Sequence, residues 1–312
     1  MADSDQHINT AILGAGVIGA SWSALFLAAG RTVTVFDSAP NVESSVLTYL
    51  ENAWPILEQL KLTSNGNPDN IRFVSNPRDA VDGAVFIQES VPEQVDIKHA
   101  LFKEIEPALS DGAVVASSAS GLTLSEMQAG WNDPAPLVLG HPFNPPHLIP
   151  LVEVMGNEHT AADVVTKAEA FYASVGKVTI RVNREVPGHV ANRLQAAVWR
   201  EAIHLVSSGV ASVEDVDKAM WAGPGLRWAV MGPTTLFHLG AGKGGLSDFC
   251  ERYSDSFNRW WDDLGTPKLN NAVATQLVSG IADATADQSN DELTAQRDAM
   301  LAAILTATRD LR

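Results

Sequence analysis

The chain of 312 residues has little cysteine and little positive charge. Its single cysteine, Cys250, cannot form an internal disulfide, and neither Cys-x-x-Cys nor His-Glu-x-x-His spacing is present to hold a metal. We therefore expect a metal-free protein in a reducing compartment. The 37 acidic residues outnumber the 21 basic ones, giving a formal charge of -16, so the chain would repel a phosphate backbone. A nucleic-acid partner is excluded on this ground.

Long apolar runs are also missing. Nowhere do 18 apolar residues follow one another, and the polar, acidic start of the chain lacks the basic stretch and apolar run of a signal peptide. These absences predict a cytoplasmic protein with no membrane partner. The 46% hydrophobic content is nevertheless enough for two packed cores in a chain of this length.

Short strand-like runs alternate with helical patterns in the first part of the chain. Asn9 to Leu13 is an apolar run that leads through a glycine turn into a helix ending near Ala29, and Thr32 to Phe36 is rich in β-branched residues. Further strand-like runs lie at 84–88, 113–116, 137–140 and 178–182. This alternation predicts an α/β fold, a Rossmann-type doubly wound and mostly parallel sheet.

After Glu185 the pattern becomes helical. Apolar residues recur at helical spacing up to Gly209, Ser212 to Asp215 is typical of a capping box, and residues 293–305 form an amphipathic C-terminal pattern. We predict two domains, a cofactor-binding domain at 1–185 and an all-helical domain at 186–312. The apolar faces of the second domain suit substrate binding and the interface of a homodimer.

The segment Gly14-Ala15-Gly16-Val17-Ile18-Gly19 joins the first strand to the first helix. Its glycines permit a tight turn, close approach of a pyrophosphate and close helix–strand packing, and the helix start at Val17 and Ile18 offers unpaired N–H groups. Asp37 follows at the end of the second strand, where a carboxylate accepts from an adenosine ribose and repels a 2′-phosphate. NAD is thus favoured over NADP; the alternative for Asp37 is a plain turn residue.

The run Gly140-His141-Pro142-Phe143-Asn144-Pro145-Pro146 is dense in residues with special chemistry. A histidine can take a proton from a substrate alcohol, and a carboxylate partner fixes its tautomer and stabilises the imidazolium. His141 and Glu153 are our candidates for that pair. The alternative is a hydrogen-bonded histidine in a proline-rich turn.

The chain resembles the 3-hydroxyacyl-CoA dehydrogenase family over essentially its whole length. Five motifs carry the resemblance in order. They are the glycine fingerprint with Asp37, Glu89-Ser90-Val91-Pro92-Glu93 with Lys98, Ala116-Ser117-Ser118-Ala119-Ser120-Gly121-Leu122, Gly140-His141-Pro142-Phe143-Asn144-Pro145, and Gly188-His189-Val190-Ala191-Asn192-Arg193.

The resemblance implies hydride transfer from a secondary alcohol to NAD+, with His141 as general base and Glu153 as its orienting partner. It also implies that Ser120 hydrogen-bonds the reacting oxygen and that Asn192 helps to hold substrate and histidine. Glu93 and Lys98 are implied to lie near the nicotinamide ribose.

Two of these assignments have open alternatives. Ser117 and Ser118 compete with Ser120, which is selected by placing Leu122 on the leucine of the family's motif. Asn192 has the alternative role of capping a helix that begins near Pro187.

Acyl-CoA enzymes of the family carry a lysine-rich segment after the second strand, and this chain does not. From Asn41 to Asn70 the only basic residue is Lys61, against four acidic ones, so CoA phosphates would meet net negative charge. We expect a small 3-hydroxy acid instead. The residues after Pro145 and the stretch Gly223 to Arg227 resemble two small-acid branches of the family, the L-carnitine dehydrogenases and the L-gulonate 3-dehydrogenases with their crystallin relative.

Aromatic content favours L-carnitine, because a trimethylammonium group is recognised by aromatic faces. Candidate contacts are Phe143, Trp221, Trp228 and Phe237, and Arg227 is the candidate partner of the substrate carboxylate. The tryptophans have the alternative role of helix-packing core, and Arg227 that of a surface ion pair. L-gulonate oxidation, and a non-catalytic NAD-binding protein of the crystallin type, are the alternative functions.

Overall fold

Runs of β-branched and apolar residues form one eight-stranded sheet in the computed structural model, which describes residues 8–286 and 288–311. The strands are β1 (Asn9–Leu13), β2 (Thr32–Phe36), β3 (Ile71–Val74), β4 (Phe86–Glu89), β5 (Val114–Ser117), β6 (Leu137–Pro142), β7 (Leu151–Met155) and β8 (Val178–Arg181). Their order is β3-β2-β1-β4-β5-β6-β7-β8. Only β6 and β7 pair antiparallel, so the predicted doubly wound, mostly parallel sheet is confirmed.

Helices cover both faces of this sheet. They are α1 (Val17–Ala28), α2 (Val42–Gln59), α3 (Pro77–Val81), α4 (Val95–Ile105), α5 (Leu124–Gln128) and α6 (Val164–Ser174). One core contains apolar residues of α1, α2 and α6, and a second contains those of α3, α4 and α5. Both cores are needed because the central strands β4 and β5 are buried along their whole length.

The rest of the chain is helical, as predicted. Its elements are α7 (Ala191–Ser207), α8 (Val213–Ala222), α9 (Pro224–Trp228), α10 (Pro233–Gly240), α11 (Gly245–Asp263), α12 (Asn271–Thr285) and α13 (Asn290–Thr308). The predicted cap of α8 is present, since the Ser212 side chain accepts from the Asp215 N–H. Within the described ranges, no helix combines the length and apolar character that a membrane span requires.

The strand predictions succeeded for six of the eight strands and missed β3 and β7. Both ends of β1 and β2 are as predicted. We predicted no strand at β3, which is an edge strand whose residues are half-buried or exposed. Such a strand needs no continuous apolar run, and its sequence therefore resembles a loop.

The described chain divides into two compact units. Unit 1 comprises 8–190 and 296–309, and unit 2 comprises 191–295, apart from residue 287, with 310 and 311. Our sequence-based domains meet at 185 and 186 and assign all of the C-terminal helix to the second domain. In the structure, Leu301, Ala302 and Leu305 of α13 instead pack with Leu60 and Leu148 of unit 1.

The loop between β6 and β7 is anchored inside unit 1 by two buried polar side chains. The Lys177 ammonium donates to the carbonyls of Pro146 and Ile149. His147 Nδ1 is hydrogen-bonded to the hydroxyls of Ser21, at 2.9 Å, and Tyr49, at 3.2 Å. Burial lowers the pKa of His147 to about 4, and the nearby Lys177 acts in the same direction.

We expect His147 to make the protein unstable in mild acid. The unfolded chain takes up a proton near pH 6.5 and the folded one only near 4, so stability is constant above this window and falls as the pH falls through it. Between pH 7 and pH 5, His147→Gln should lose about 2 kcal/mol less free energy of unfolding than the wild type. Urea titrations at both pH values measure this. Equal losses in both proteins would show that His147 is not the responsible group, and the exposed His159→Gln is the matched control.

Candidate active site

The glycine fingerprint has the backbone that a dinucleotide requires. Gly14 has a φ of 86°, and a Cβ there would lie 2.5 Å from the Val91 nitrogen. A Cβ on Gly19 would lie 1.9 Å from the Gly14 oxygen, whereas one on Gly16 would meet nothing within 4 Å. Helix α1 begins at Val17 with no side-chain cap. A helix start at Val17 and Ile18 without a side-chain cap, with open space at Gly16, fits a bound pyrophosphate.

Asp37 lies beside this turn at the end of β2. Its Oδ2 accepts from the Ala15 N–H at 2.6 Å, and its Oδ1 accepts from the Ala39 N–H at 2.7 Å. The carboxylate therefore ties the fingerprint to the second strand. The following residues, Ser38 to Pro40, are exposed and contain no basic side chain to receive a 2′-phosphate.

His141 and Glu153 form a buried pair. They lie directly opposite each other across the antiparallel β6–β7 pair, with His141 5% and Glu153 0% exposed. His141 Nδ1 donates to Glu153 Oε2 at 2.7 Å. Because a carboxylate only accepts, the neutral ring keeps its Nε2 lone pair free to take up a proton. The other carboxylate oxygen, Oε1, accepts from the Val190 N–H at 2.8 Å.

The serine candidates are separated by their surroundings. Ser117 donates to Glu89 Oε2 at 2.5 Å, and Ser118 is hydrogen-bonded to Gln88 and Ser90. The Ser120 side chain is exposed, and its hydroxyl has no partner among the residues that the structure describes. This arrangement favours Ser120 as the serine that can reach a substrate.

Glu93 binds the backbone beside Ser120. Its Oε1 accepts from the N–H groups of Ser120, Gly121 and Leu122 at 3.0, 2.7 and 2.9 Å. We therefore assign it a structural contact that sequence reasoning missed, in addition to any contact with the cofactor. A glutamate four residues beyond a strand gives no sequence signal that its carboxylate will accept from three successive backbone N–H groups.

Lys98 is fully buried and paired internally. Its Nζ donates to Glu89 Oε1 at 2.6 Å and to the Val91 carbonyl at 3.3 Å. Glu89 also accepts from the Val91 N–H at 2.8 Å and holds Ser117. The ammonium therefore braces the ends of β4 and β5 beside the fingerprint, a role that the spacing of the motif did not reveal.

The remaining candidates differ in their surroundings. Phe143 contacts His141 edge-on, with ring centroids 6.0 Å apart. In unit 2, Asn192 is the second residue of α7, inside the first turn and past the cap position. Trp221 and Trp228 lie on α8 and α9, which pack together, and are 65% and 38% exposed.

Two further candidates in unit 2 have contrasting environments. Phe237 stacks on Phe249 and meets Phe257 edge-on, so it belongs to an aromatic cluster along α11. Arg227 is exposed and makes no ion pair with any residue in 8–286 or 288–311.

Two models of one family match most of the chain, in agreement with the geometry above. The 3-hydroxyacyl-CoA dehydrogenase NAD-binding domain matches residues 9–186, and the C-terminal domain of the same family matches 188–274. The chain belongs to the 3-hydroxyacyl-CoA dehydrogenase family. It is therefore an NAD-dependent dehydrogenase acting on 3-hydroxy acids, and the expected cofactor is confirmed.

Relatives within the family are similar over almost their full length. An L-carnitine dehydrogenase of Streptomyces coelicolor is 45% identical, covering 99% of this chain and 97% of the relative. One of Nocardiopsis dassonvillei is 44% identical, covering 96% and 92%. A solved 5-formyl-3-hydroxy-2-methylpyridine 4-carboxylic acid 5-dehydrogenase, an NAD+ dependent dismutase, is 30% identical with a TM-score of 0.81, covering 96% of this chain and 97% of that one.

In the present chain, we expect Asp37→Ala to weaken the preference for NAD+. The variant loses both the repulsion of a 2′-phosphate and the contact with Ala15, so the ratio of kcat/KM for NAD+ to that for NADP+ should fall at least about tenfold. Steady-state kinetics with both cofactors measure the ratio. An unchanged ratio would remove Asp37 from cofactor selection, and the isosteric Asp37→Asn separates the charge from the hydrogen bonds.

Proposed function

We propose that the protein oxidises the 3-hydroxyl group of L-carnitine with NAD+, giving 3-dehydrocarnitine. The buried His141–Glu153 pair carries the reaction type, because it places an oriented base toward the carboxyl end of β6, on the same side of the parallel sheet as the dinucleotide fingerprint that follows β1. The choice of L-carnitine is supported by relatives of that name at 38–45% identity. It is also supported by the acidic composition of residues 41–70, which disfavours CoA.

The mechanism assigns one task to each polar group of the site. His141 Nε2 takes the proton of the 3-hydroxyl, and Glu153 stabilises the imidazolium that forms. The Ser120 hydroxyl hydrogen-bonds the reacting oxygen, and Asn192 helps to hold the substrate. NAD+ bound at the fingerprint supplies the hydride acceptor.

Recognition of the two ends of L-carnitine requires different chemistry. The carboxylate suits the planar guanidinium of Arg227, whose lack of an ion pair among the described residues leaves its donors available. The trimethylammonium group has no N–H to donate and suits aromatic faces. We assign it to Phe143, Trp221, Trp228 and Phe237; of these, the two tryptophans have the most exposed surface to offer.

Arg227 provides a direct test of substrate binding. Arg227→Met should raise the KM for L-carnitine about 10- to 100-fold, because a bidentate charged contact is lost, while the KM for NAD+ stays the same. Arg227→Lys keeps the charge but not the paired donors, so its KM for L-carnitine should lie between those of the wild type and Arg227→Met. Equal KM values in all three proteins would exclude Arg227 as the carboxylate partner.

The function is tested by NADH formation at 340 nm with purified protein, NAD+ and three substrates in parallel. These are L-carnitine, L-gulonate and a 3-hydroxyacyl-CoA. Activity with L-carnitine and little with the others is the expected result. Activity with L-gulonate alone would keep the reaction but replace the substrate, and NAD+ binding without any oxidation would favour the crystallin-type alternative.

We further propose that the protein is a cytoplasmic homodimer. Unit 2 exposes large apolar side chains on one stretch of α7, where Leu194 is 62%, Val198 37% and Trp199 53% exposed. Neighbouring exposed apolar residues at helical spacing form a patch that a monomer rarely leaves in water. A second copy of the chain suits it because such faces are self-complementary across a two-fold axis. Sedimentation equilibrium should give twice the chain mass, and Leu194→Glu should reduce it to that of a monomer.

A further inference from the structure

A second imidazole lies beside the proposed base. The ring centroid of His189 is 5.1 Å from that of His141, with the rings tilted by 53°. His189 is 3% exposed, as buried as the base itself. Sequence reasoning singled out His141 but assigned no role to His189.

The backbone turns sharply to bring His189 to this place. Gly188 has a φ of 75° and His189 a φ of 49°, two successive residues in the left-handed region. Such a conformation is costly for a residue with a Cβ and persists only where contacts enforce it. The next N–H, that of Val190, donates to Glu153 Oε1 at 2.8 Å. One carboxylate therefore holds both the His141 ring and the backbone that carries His189.

The hydrogen bond of His189 determines its tautomer. Nε2 lies 3.3 Å from the Ala119 carbonyl, which only accepts, so Nε2 carries the proton. Nδ1 is then a buried acceptor, and it has no hydrogen-bond partner within the described residues. Ala119 directly precedes Ser120. His189 thus links the serine loop to the ring of the base.

Several charged or titratable groups face His189 from the surrounding elements. Burial and the neighbouring His141 lower the pKa of His189, whereas the Ala119 carbonyl, Glu153 and Glu93 oppose this. The net direction is downward. Around neutral pH the His189 ring is therefore uncharged.

We propose that His189 is a positioning residue, whose neutral ring holds the His141 imidazole in register with the Ser120 loop so that positive charge forms on His141 alone. This inference rests on the proposed role of His141 as general base. A charged neighbour at this distance would oppose the uptake of the substrate proton, whereas a neutral ring does not. The hydrogen bond to Ala119 transmits the position of one loop to the other.

The first experiment needs no substrate. Two-dimensional ¹H–¹⁵N spectra of histidine-labelled protein report tautomer and charge, and the His189 signals are assigned by their loss in His189→Gln. At pH 7.5 we expect His189 to be neutral with its proton on Nε2. A charged ring, or a proton on Nδ1, would overturn the proposal whatever the substrate of the enzyme proves to be.

The second experiment separates the hydrogen bond from the filling of space. His189→Phe keeps an aromatic ring of similar size but removes the donor, while His189→Gln places a donor near the position of Nε2. We expect the phenylalanine variant to lose about tenfold in kcat with an unchanged KM for NAD+, and the glutamine variant to stay within about threefold of the wild type. A phenylalanine variant with full kcat, or a glutamine variant no better than it, would contradict the proposal.

Failure of this proposal is distinguishable from failure of the proposed function. If the wild type does not oxidise L-carnitine, the function is wrong and the spectra alone decide on His189. His159→Phe, at an exposed site, is the matched control for substituting a histidine and should keep the wild-type kcat.

Discussion

His141→Gln should lose about 10²- to 10⁴-fold in kcat while binding NADH as tightly as the wild type. The variant keeps a side chain of similar length but has no group that takes up a proton near neutral pH, so the step that His141 Nε2 serves has no base. The glycine fingerprint and Asp37 are untouched. Steady-state kinetics and NADH fluorescence titration measure the two quantities separately.

His159→Gln provides the control for this substitution, since His159 is exposed and is not one of the proposed site residues. It should match the wild type in both measurements. A His141→Gln enzyme with unaltered turnover would remove His141 from the role of base.

Glu153→Gln should reduce kcat by about 10²- to 10⁴-fold as well. The amide removes the negative charge that stabilises the imidazolium and, through its N–H donors, disfavours the tautomer with the proton on His141 Nδ1. Because Oε1 also accepts from the Val190 N–H, the variant can still make that contact through its carbonyl oxygen. We therefore expect the fold to persist, as judged by circular dichroism and NADH binding.

The double variant tests whether His141 and Glu153 act as a unit. If they do, the kcat of His141→Gln combined with Glu153→Gln should be hardly lower than that of the slower single variant. The reason is that each residue contributes to catalysis only when the other is present. Multiplying losses would instead show two independent contributions and contradict the pair as described.

Local sequence signals were sufficient for β1, β2 and the cofactor turn between β1 and α1. The run from Thr32 to Phe36 and the glycines of the fingerprint need no long-range knowledge, since strand burial and tight turns depend on neighbouring residues. The direction of β7, in contrast, could not be predicted from local sequence. Nothing within Leu151–Met155 shows that it runs antiparallel to β6, yet this pairing places Glu153 opposite His141.

Contacts between distant segments set the rest of the candidate site. Lys98 is buried because Glu89 accepts from it, and Glu93 is held by amides nearly thirty residues further along the chain. The same applies to α13, part of which packs on unit 1 because Leu60 and Leu148 leave an apolar surface there. Motif spacing identifies such residues but does not predict which residues they contact.

The most direct test of the central claim is the fate of the hydrogen on C3 of the substrate. L-Carnitine carrying deuterium at C3 should yield NADH with one deuterium on the nicotinamide ring, measured by mass spectrometry, and His141→Gln should slow its formation by about 10²- to 10⁴-fold. Unlabelled NADH, or no NADH from L-carnitine under conditions where the protein binds NAD+, would contradict the account.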